Sequence, residues 1–517
     1  MHRFTPVAII QHMHNLAAQL NKPLSLEQLR FSNSFAKLPP DFYSRVLPTP
    51  LGEPYLISFN SAAAALIELD ATEAARADFP VIFNGGKLLQ GSEPLAMLYS
   101  GHQFGHYVSQ LGDGRAIVLG EVMTSTGARW ELQLKGGGQT PYSRAGDGRA
   151  VLRSTVREYL CSEAMHGLGI PTTRALCIVG SDEEVYRESI ESGAMLLRMA
   201  PSHVRFGSFE SFYYRNQHAH LRTLADYVIE HHYPEFLDQP DCYLALYREV
   251  AVRTAKLIAQ WQLVGFAHGV MNTDNMSILG LTLDYGPFGF LDDYEPGCIC
   301  NHSDHQGRYA FDRQPDVGLW NLSCLGQALL PLLDDQAEAA AEQAMAQFDV
   351  YKEVFQQSYS AGLRSKLGLR ESQPDDMALA QRLLDQMAEE RRDYTNSWRM
   401  LGDFNSAPGA DNTKLYDQFI DRARFSAWVE DYAARLRSEQ SIDNERRNTM
   451  NQTNPKYVLR NYLVQTAIER AREQRDYSEI DRLLRVLQDP FAEHPEDTDL
   501  AEPPPDWGRK LSVSCSS

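Results

Sequence analysis

The apolar and polar positions of this chain change period along its length, and the changes outline its elements. From Trp130 to Lys135 they alternate strictly, with Trp130, Leu132 and Leu134 on one side and Glu131, Gln133 and Lys135 on the other. That period of two predicts a half-buried strand. Ala116–Val122 predicts a strand before it, across the turn signal Ser125-Thr-Gly127, and Ala194–Met199 a third one carrying Arg198. A helical period runs from Val151 to the stop signals Gly167 and Gly169. It returns at Leu221–His231 and from Tyr243 to about Val264, where Leu244, Tyr247, Ala251, Leu257 and Trp261 form one stripe. Residues 316–488 are largely helical by the same criterion, as in Ala337–Phe348, Met377–Glu390, Tyr457–Arg472 and Leu483–Leu487.

The ends read differently. Val7–Leu20 predicts a short amphipathic helix, and the prolines from Pro39 to Pro54 predict an extended arm, because proline fixes φ and blocks helix. Ala63–Leu69 and Pro94–Leu98 are expected as short helices. The Pro-rich segment from Ala501 to Ser517 is expected to be disordered. Two short apolar runs, Met276–Leu279 and Leu281–Leu283, predict a hairpin. The fold class is α+β, a mostly β part followed by a helical one.

Composition narrows the function classes. With 68 acidic against 49 basic residues the formal charge is -19, the wrong sign for a general nucleic-acid binder. No apolar stretch approaches a membrane span, and the N-terminus lacks the pattern of a secretory signal. Seven scattered cysteines do not form a secreted disulfide framework. A cytoplasmic enzyme is the expectation, with no nucleic-acid or membrane partner.

The chemistry-bearing residues fall in three places. A hairpin from 276 to 283 would set Asp274 and Asn275 facing Asp284, hard oxygen ligands suited to Mg²⁺ or Mn²⁺ with nucleotide phosphates. The competing reading is a surface hairpin with capping Asp and Asn. Lys135 is followed at once by Gly136-Gly-Gly138, a cationic amine beside backbone able to approach a phosphate. Gly112-Asp-Gly114-Arg115 and Gly146-Asp147-Gly148-Arg149 are turns, and Glu158 lies mid-helix after the second. Arg144, Arg149, Arg153 and Arg157 form a local excess of positive charge that reads as an anion site or as a solvated helix face. Cys298-Ile-Cys300-Asn-His302 lacks the spacing of a standard zinc site.

The order of these features resembles that of protein kinases: strand lysine, helix glutamate, a linker with Arg205, then His268, Asn275 and Asp284-Tyr-Gly286. The kinase catalytic aspartate is replaced by Val270, and no glycine-rich lid precedes Lys135. By those rules the chain is a pseudokinase. Longer runs carry a more specific resemblance, to selenoprotein O and its bacterial relatives, the YdiU proteins. They are SGHQFG (Ser100–Gly105), LGDGRA (Leu111–Ala116), QLKGGGQTPYSRAGDGRA (Gln133–Ala150), HGVMNTDNMSILGLTLDYGPFGF (His268–Phe290), NHSDHQGRY (Asn301–Tyr309) and NPKYVLRNYL (Asn454–Leu463).

That resemblance implies a kinase-like bilobal fold that transfers AMP from ATP to Ser, Thr or Tyr hydroxyls of target proteins, with UMP transfer from UTP as a variant. It implies Asp274 as proton acceptor, and Asn275 and Asp284 as ligands of Mg²⁺ or Mn²⁺. Nucleotide contacts fall on Gly112, Gly114, Arg115, Lys135, Asp147, Gly148, Arg198, Arg205 and Asp284, and Lys135 pairs with Glu158. The expected organisation is an N-terminal arm with helices (1–98), a nucleotide-binding N-lobe (99–200), a helical C-lobe with its extension (201–488) and a flexible tail (489–517). The resemblance also sets Cys515, in its Cys-Ser-Ser ending, where eukaryotic relatives carry selenocysteine near the C-terminus. Read that way it forms a reversible disulfide with Cys300, or with Cys298 in its place; the alternative is a plain exposed thiol. The rival functions are a hydroxyl phosphotransferase and a non-catalytic nucleotide-binding scaffold.

Overall fold

A computed structural model of the chain describes residues 23–513, so the expected Val7–Leu20 helix and Cys515 lie outside the described residues. Its strands in chain order are β1 (Tyr43–Arg45), β2 (Tyr55–Phe59), β3 (Leu95–Met97), β4 (Gly101–Gln103), β5 (His106–Val108) and β6 (Ala116–Met123). They continue as β7 (Arg129–Lys135), β8 (Ala150–Val151), β9 (Arg174–Tyr186), β10 (Ile190–Ala200), β11 (Phe266–Ala267) and β12 (Gly289–Phe290). Two compact units are distinguished. The first takes the described part of Met1–Leu98 with Leu111–Thr155 and Arg174–His203; the second takes Tyr99–Gln110, Val156–Thr173 and the described part of Val204–Ser517.

The first unit is built on an antiparallel sheet of order β1-β3-β6-β7-β10-β9-β2, with β8 paired on β10. One face of β7 meets the expectation. Leu132 and Leu134 enter a core with Ile117, Leu119, Leu197 and Met199, against which Leu26, Phe79, Ile82 and Phe83 pack. Each such buried aliphatic side chain contributes about 1.5–3 kcal/mol. The other face departs from it, because Glu131, Gln133 and Lys135 are also buried. Burial of polar groups is tolerated where they are paired. Here the His203 ring Nδ1 lies 2.7 Å from Glu131 Oε2, and Arg198 Nε donates to Gln133 Oε1 at 2.6 Å. The register sets Arg198 directly opposite Gln133, so the strand pairing itself aligns that contact. Pro94–Leu98, expected as a helix, instead forms β3 between β1 and β6. Pairing on both edges satisfies its backbone groups better than a five-residue helix would.

The second unit is mostly helical: Phe206–Tyr214, His218–His232, Cys242–Val264, Gln314–Leu333 and Ala337–Lys366, followed by shorter helices to Leu487. Leu363, Leu383, Trp398, Trp428 and Tyr432 belong to its buried core. Helix Cys242–Val264 delivers the chain to β11, and β11 pairs with β12, so both ends of the 268–288 loop are held together. Inside that loop the expected hairpin does not form. Ser277 bridges to Arg205 and Thr282 bridges to Thr172, so each apolar run pairs with a different, distant segment. The C-terminal segment is described as far as Val513. It carries 3-10 turns at Pro495–Ala501 and Gly508–Lys510, and Arg509 is paired with Asp293 at 2.8 Å. Among the described residues no helix is long and apolar enough to cross a membrane.

Candidate active site

In the second unit Arg205, Asp274, Asn275 and Asp284 come together. Thr273–Asn275 is one 3-10 turn, followed by extended backbone at Met276. His268, expected from the motif, is a buried brace. Its backbone N–H donates to Gln314 Oε1 at 2.8 Å and its ring Nε2 lies 3.0 Å from Leu283 O, while burial holds its imidazole below the ordinary value. Asn275 Nδ2 donates to Val270 O at 2.9 Å, tying the amide back across the loop. Asp284 occupies the left-handed region at φ 59, a conformation that Asp tolerates better than most side chains. Arg205 joins these pieces: its buried Nη1 donates to Asp274 O at 2.7 Å and to Asp284 Oδ2 at 2.5 Å, and its guanidinium lies 4.4 Å from the Tyr99 ring.

Asp274 itself is buried. Gln103 Nε2 donates to its Oδ2 at 3.2 Å, and its Oδ1 has no hydrogen-bond partner among the described residues. Burial pushes the carboxyl up to about 7, against the hydrogen bond from Gln103 and the nearby Arg205 cation, which pull it down. A carboxylate with one oxygen held, the other unengaged and a proton affinity near neutrality has the properties of a general base. Position 270, where a kinase carries its aspartate, is a valine with no proton to exchange.

In the first unit the two glycine-rich turns interlock. Gly136 N donates to Arg115 O at 2.7 Å, Gly138 N donates to Gly148 O at 3.1 Å, and Thr140 Oγ1 donates to Asp113 O at 2.7 Å. Gly148, at φ 70, lies so close to this strand of backbone that a Cβ there would meet Gly138 O at 2.0 Å. Gly112, Gly114 and Arg115 therefore face the segment that follows Lys135, and Lys135 sits at the end of β7 opposite Ala116 and Leu196. Asp147 is engaged by Arg187 through two contacts, at 2.7 and 3.0 Å, which hold its carboxyl below the usual range. Glu158 is buried on helix Leu152–Gly167, in the stretch counted with the second unit.

The arginine excess largely resolves into structural pairs. Arg149 pairs with Glu183 at 2.9 Å and Arg153 with Glu191 at 2.7 Å, while Arg157 donates to Phe288 O at 3.1 Å and packs on the Phe288 ring. Cys300 is held at 3.5 Å from Ala267 O, and burial pushes its thiol up. The last described residues run beside it, with His302 N donating to Val513 O at 2.8 Å. Among the described residues no three His, Cys, Asp or Glu side chains gather as a metal site. Sequence reasoning missed Gln103 and Arg187. The only signal for Gln103 was a polar pair, His102-Gln103, between two glycines.

Comparison with known proteins gives both the class, protein nucleotidyltransferases, and the family. The profile described as protein adenylyltransferase SelO matches residues 25–488, and the chain belongs to that family. It is 58% identical over 493 residues to the protein nucleotidyltransferase YdiU of Myxococcus xanthus, covering 95% of this chain and 100% of that one. It is 57% identical over 492 residues to the protein nucleotidyltransferase YdiU of Thioalkalivibrio sulfidiphilus, with 95% and 99% covered. The corresponding protein of Thiobacillus denitrificans is 55% identical over 493 residues, with 95% and 100% covered. The chain is an enzyme of the protein nucleotidyltransferase class.

Proposed function

We propose that this enzyme transfers AMP from ATP to hydroxyl side chains of target proteins, with Asp274 as the proton acceptor. The observation that carries the reading is the buried Asp274 carboxylate with its unengaged Oδ1, standing where the valine at 270 supplies no base. In this account the Asp274 carboxylate takes the proton of the substrate hydroxyl as the hydroxyl oxygen attacks the α-phosphorus. The bond between the α-phosphorus and the bridging oxygen breaks, and pyrophosphate leaves with the electron pair. Lys135, Arg198 and Arg205 are the cations assigned to the departing charge. Gly112, Gly114, Arg115, Asp147 and Gly148 are the further nucleotide contacts, and the Lys135–Glu158 pair belongs to the same protein-kinase-like bilobal reading.

The donor set suits a hard divalent cation. The Asn275 amide is fixed through its Nδ2, which leaves its oxygen to coordinate, and Asp284 adds a carboxylate. Two protein ligands are few, but Mg²⁺ keeps waters and shares phosphate oxygens. Bound there, Mg²⁺ or Mn²⁺ would neutralise phosphate charge. The redox reading is kept as a proposal: Cys515 joins Cys300 in a disulfide, and peptide mapping of oxidised protein with no peptide joining Cys515 to another cysteine would end it.

Product analysis tests the main reading. With ATP, a divalent cation and a protein acceptor, pyrophosphate accumulates and ADP does not. ADP as the accumulating product would make the chain a kinase, and neither product would make it a scaffold.

A further inference from the structure

The motif Ser100–Gly105 received no role from the sequence, yet it is the segment laid directly against the proposed base. It folds as the β4–β5 hairpin, in which Gly101 pairs with Val108, His102 with Tyr107 and Gln103 with His106. Strand geometry sends alternate side chains to opposite faces. Gly101 and Gln103 face Asp274, and His102 turns the other way, where its Nδ1 lies 2.7 Å from the buried Glu210 Oε2 and its ring meets Trp320 edge-on.

Both the backbone and the side chains of the hairpin are fastened to the 272–274 turn. His102 N donates to Thr273 Oγ1 at 2.7 Å, and Phe104 N donates to Tyr309 OH at 2.9 Å and to Asn272 Oδ1 at 3.3 Å. Tyr309 OH in turn donates to Asn272 Oδ1 at 2.6 Å, closing a ring of contacts around the turn. Gly101 approaches so closely that a Cβ there would lie 2.9 Å from Asp274 Oδ1 and 3.0 Å from its backbone nitrogen. With the strand anchored on both faces, the Gln103 amide reaches Asp274 Oδ2 from a fixed base.

We propose that Gln103 is a positioning residue for AMP transfer: by donating to Oδ2 of Asp274 it fixes the orientation of the carboxylate that takes the proton of the substrate hydroxyl. The inference rests on the reading of Asp274 as proton acceptor. A second acidic side chain at 103 would lack the donor, and a shorter one would not reach, so the function needs the length and the N–H of glutamine together. The reacting groups gain from this because a base held in one orientation spends its time in the productive geometry.

A double-mutant cycle on the full-length protein tests it. Gln103→Met keeps the volume and removes the donor. It is expected to lower kcat for AMP transfer about tenfold, the size of one charge-assisted hydrogen bond, while KM for ATP stays within about twofold. In an Asp274→Ala background the same substitution is expected to cost nothing further, because its effect runs through the carboxylate. Gln103→Ala serves as the second variant, and its thermal unfolding midpoint shows that the fold survives. Wild-type kcat in both Gln103 variants, with Asp274→Ala slow, overturns the proposal and leaves the base assignment standing. A loss that carries over in full into the Asp274→Ala background also overturns it, since that marks a purely structural role. Asp274→Ala at the wild-type rate removes the base reading and the proposal together.

Discussion

Asp274→Ala is expected to lower AMP transfer about 10²-fold or more, the usual contribution of a general base, with ATP binding little changed. The expectation follows from position more than from residue type. Asp284 is paired with Arg205, and Asn275 cannot accept a proton at neutral pH, which leaves Asp274, held by the neutral amide of Gln103, as the candidate base of this group. A stability measurement separates chemistry from collapse. The Asp274 carboxyl titrates about 7 in the folded protein against an ordinary 3.8, because burial favours its neutral form. A group whose folded value is raised binds its proton more tightly in the folded state. Its stabilising contribution is full below the lower value and is lost as pH rises through the upper one. At pH 8 the nucleotide-free wild type therefore carries a buried charge that Asp274→Asn does not. The Asn variant is expected to be slow yet to unfold at a higher temperature than wild type at that pH. An Asn variant with normal transfer would remove Asp274 from the mechanism.

Lys366→Met is expected to stabilise the protein, and to do so most at or below neutral pH. Lys366 ends helix Ala337–Lys366 inside the helical core, 3% exposed, with its amine 5.1 Å from the Trp398 ring centre and 5.7 Å from that of Tyr394. Burial alone pushes its amine down to about 7 from an ordinary 10.5. Here the folded state releases its proton first. Between pH 7 and pH 10.5 the unfolded chain binds more protons, and stability rises with pH by up to about 1.4 kcal/mol per pH unit. Below pH 7 the lysine is charged in both states and the whole cost of burying it is present. The two rings offset part of that cost, about 2 kcal/mol for a desolvated cation on aromatic faces. Methionine fills a similar space and packs well on aromatics. At pH 6 a gain of about 2–3 kcal/mol in unfolding free energy is expected, with the rise between pH 7 and 10.5 flattened. A variant less stable than wild type at pH 6 would show that the ammonium is held by something stronger than the rings.

The parts of the fold legible in the sequence were those whose signal is local. The alternation at Trp130–Lys135 and the stripe along Cys242–Val264 need only their own residues to be read, and both elements formed close to the expected limits. The failures share one cause, a partner far away in the chain. Met276–Leu279 and Leu281–Leu283 look like two halves of a hairpin, but Ser277 and Thr282 are claimed by Arg205 and Thr172. Pro94–Leu98 looks helical until β1 and β6 offer edges on both sides. The β4–β5 turn lacks the usual Asn-Gly or Asp-Gly signal; it is made by Phe104 and Gly105, at φ 49 and 84. For the site, residue types and order were enough to single out Asp274, Asn275, Asp284 and Arg205, and the second unit brings these four together. What no linear reading supplied was the state of each group: which carboxylate oxygen is engaged, that Asp147 is already held by Arg187, and that Gln103 reaches Asp274 from 171 positions away.

The central claim is that the α-phosphorus, not the γ-phosphorus, of ATP ends on the target protein. Parallel reactions with α-labelled and γ-labelled ATP, a divalent cation and a protein acceptor measure this directly. The account predicts label on protein from the α position only, with one pyrophosphate released per label transferred and the signal lost in Asp274→Ala. Label on protein from the γ position only would contradict it.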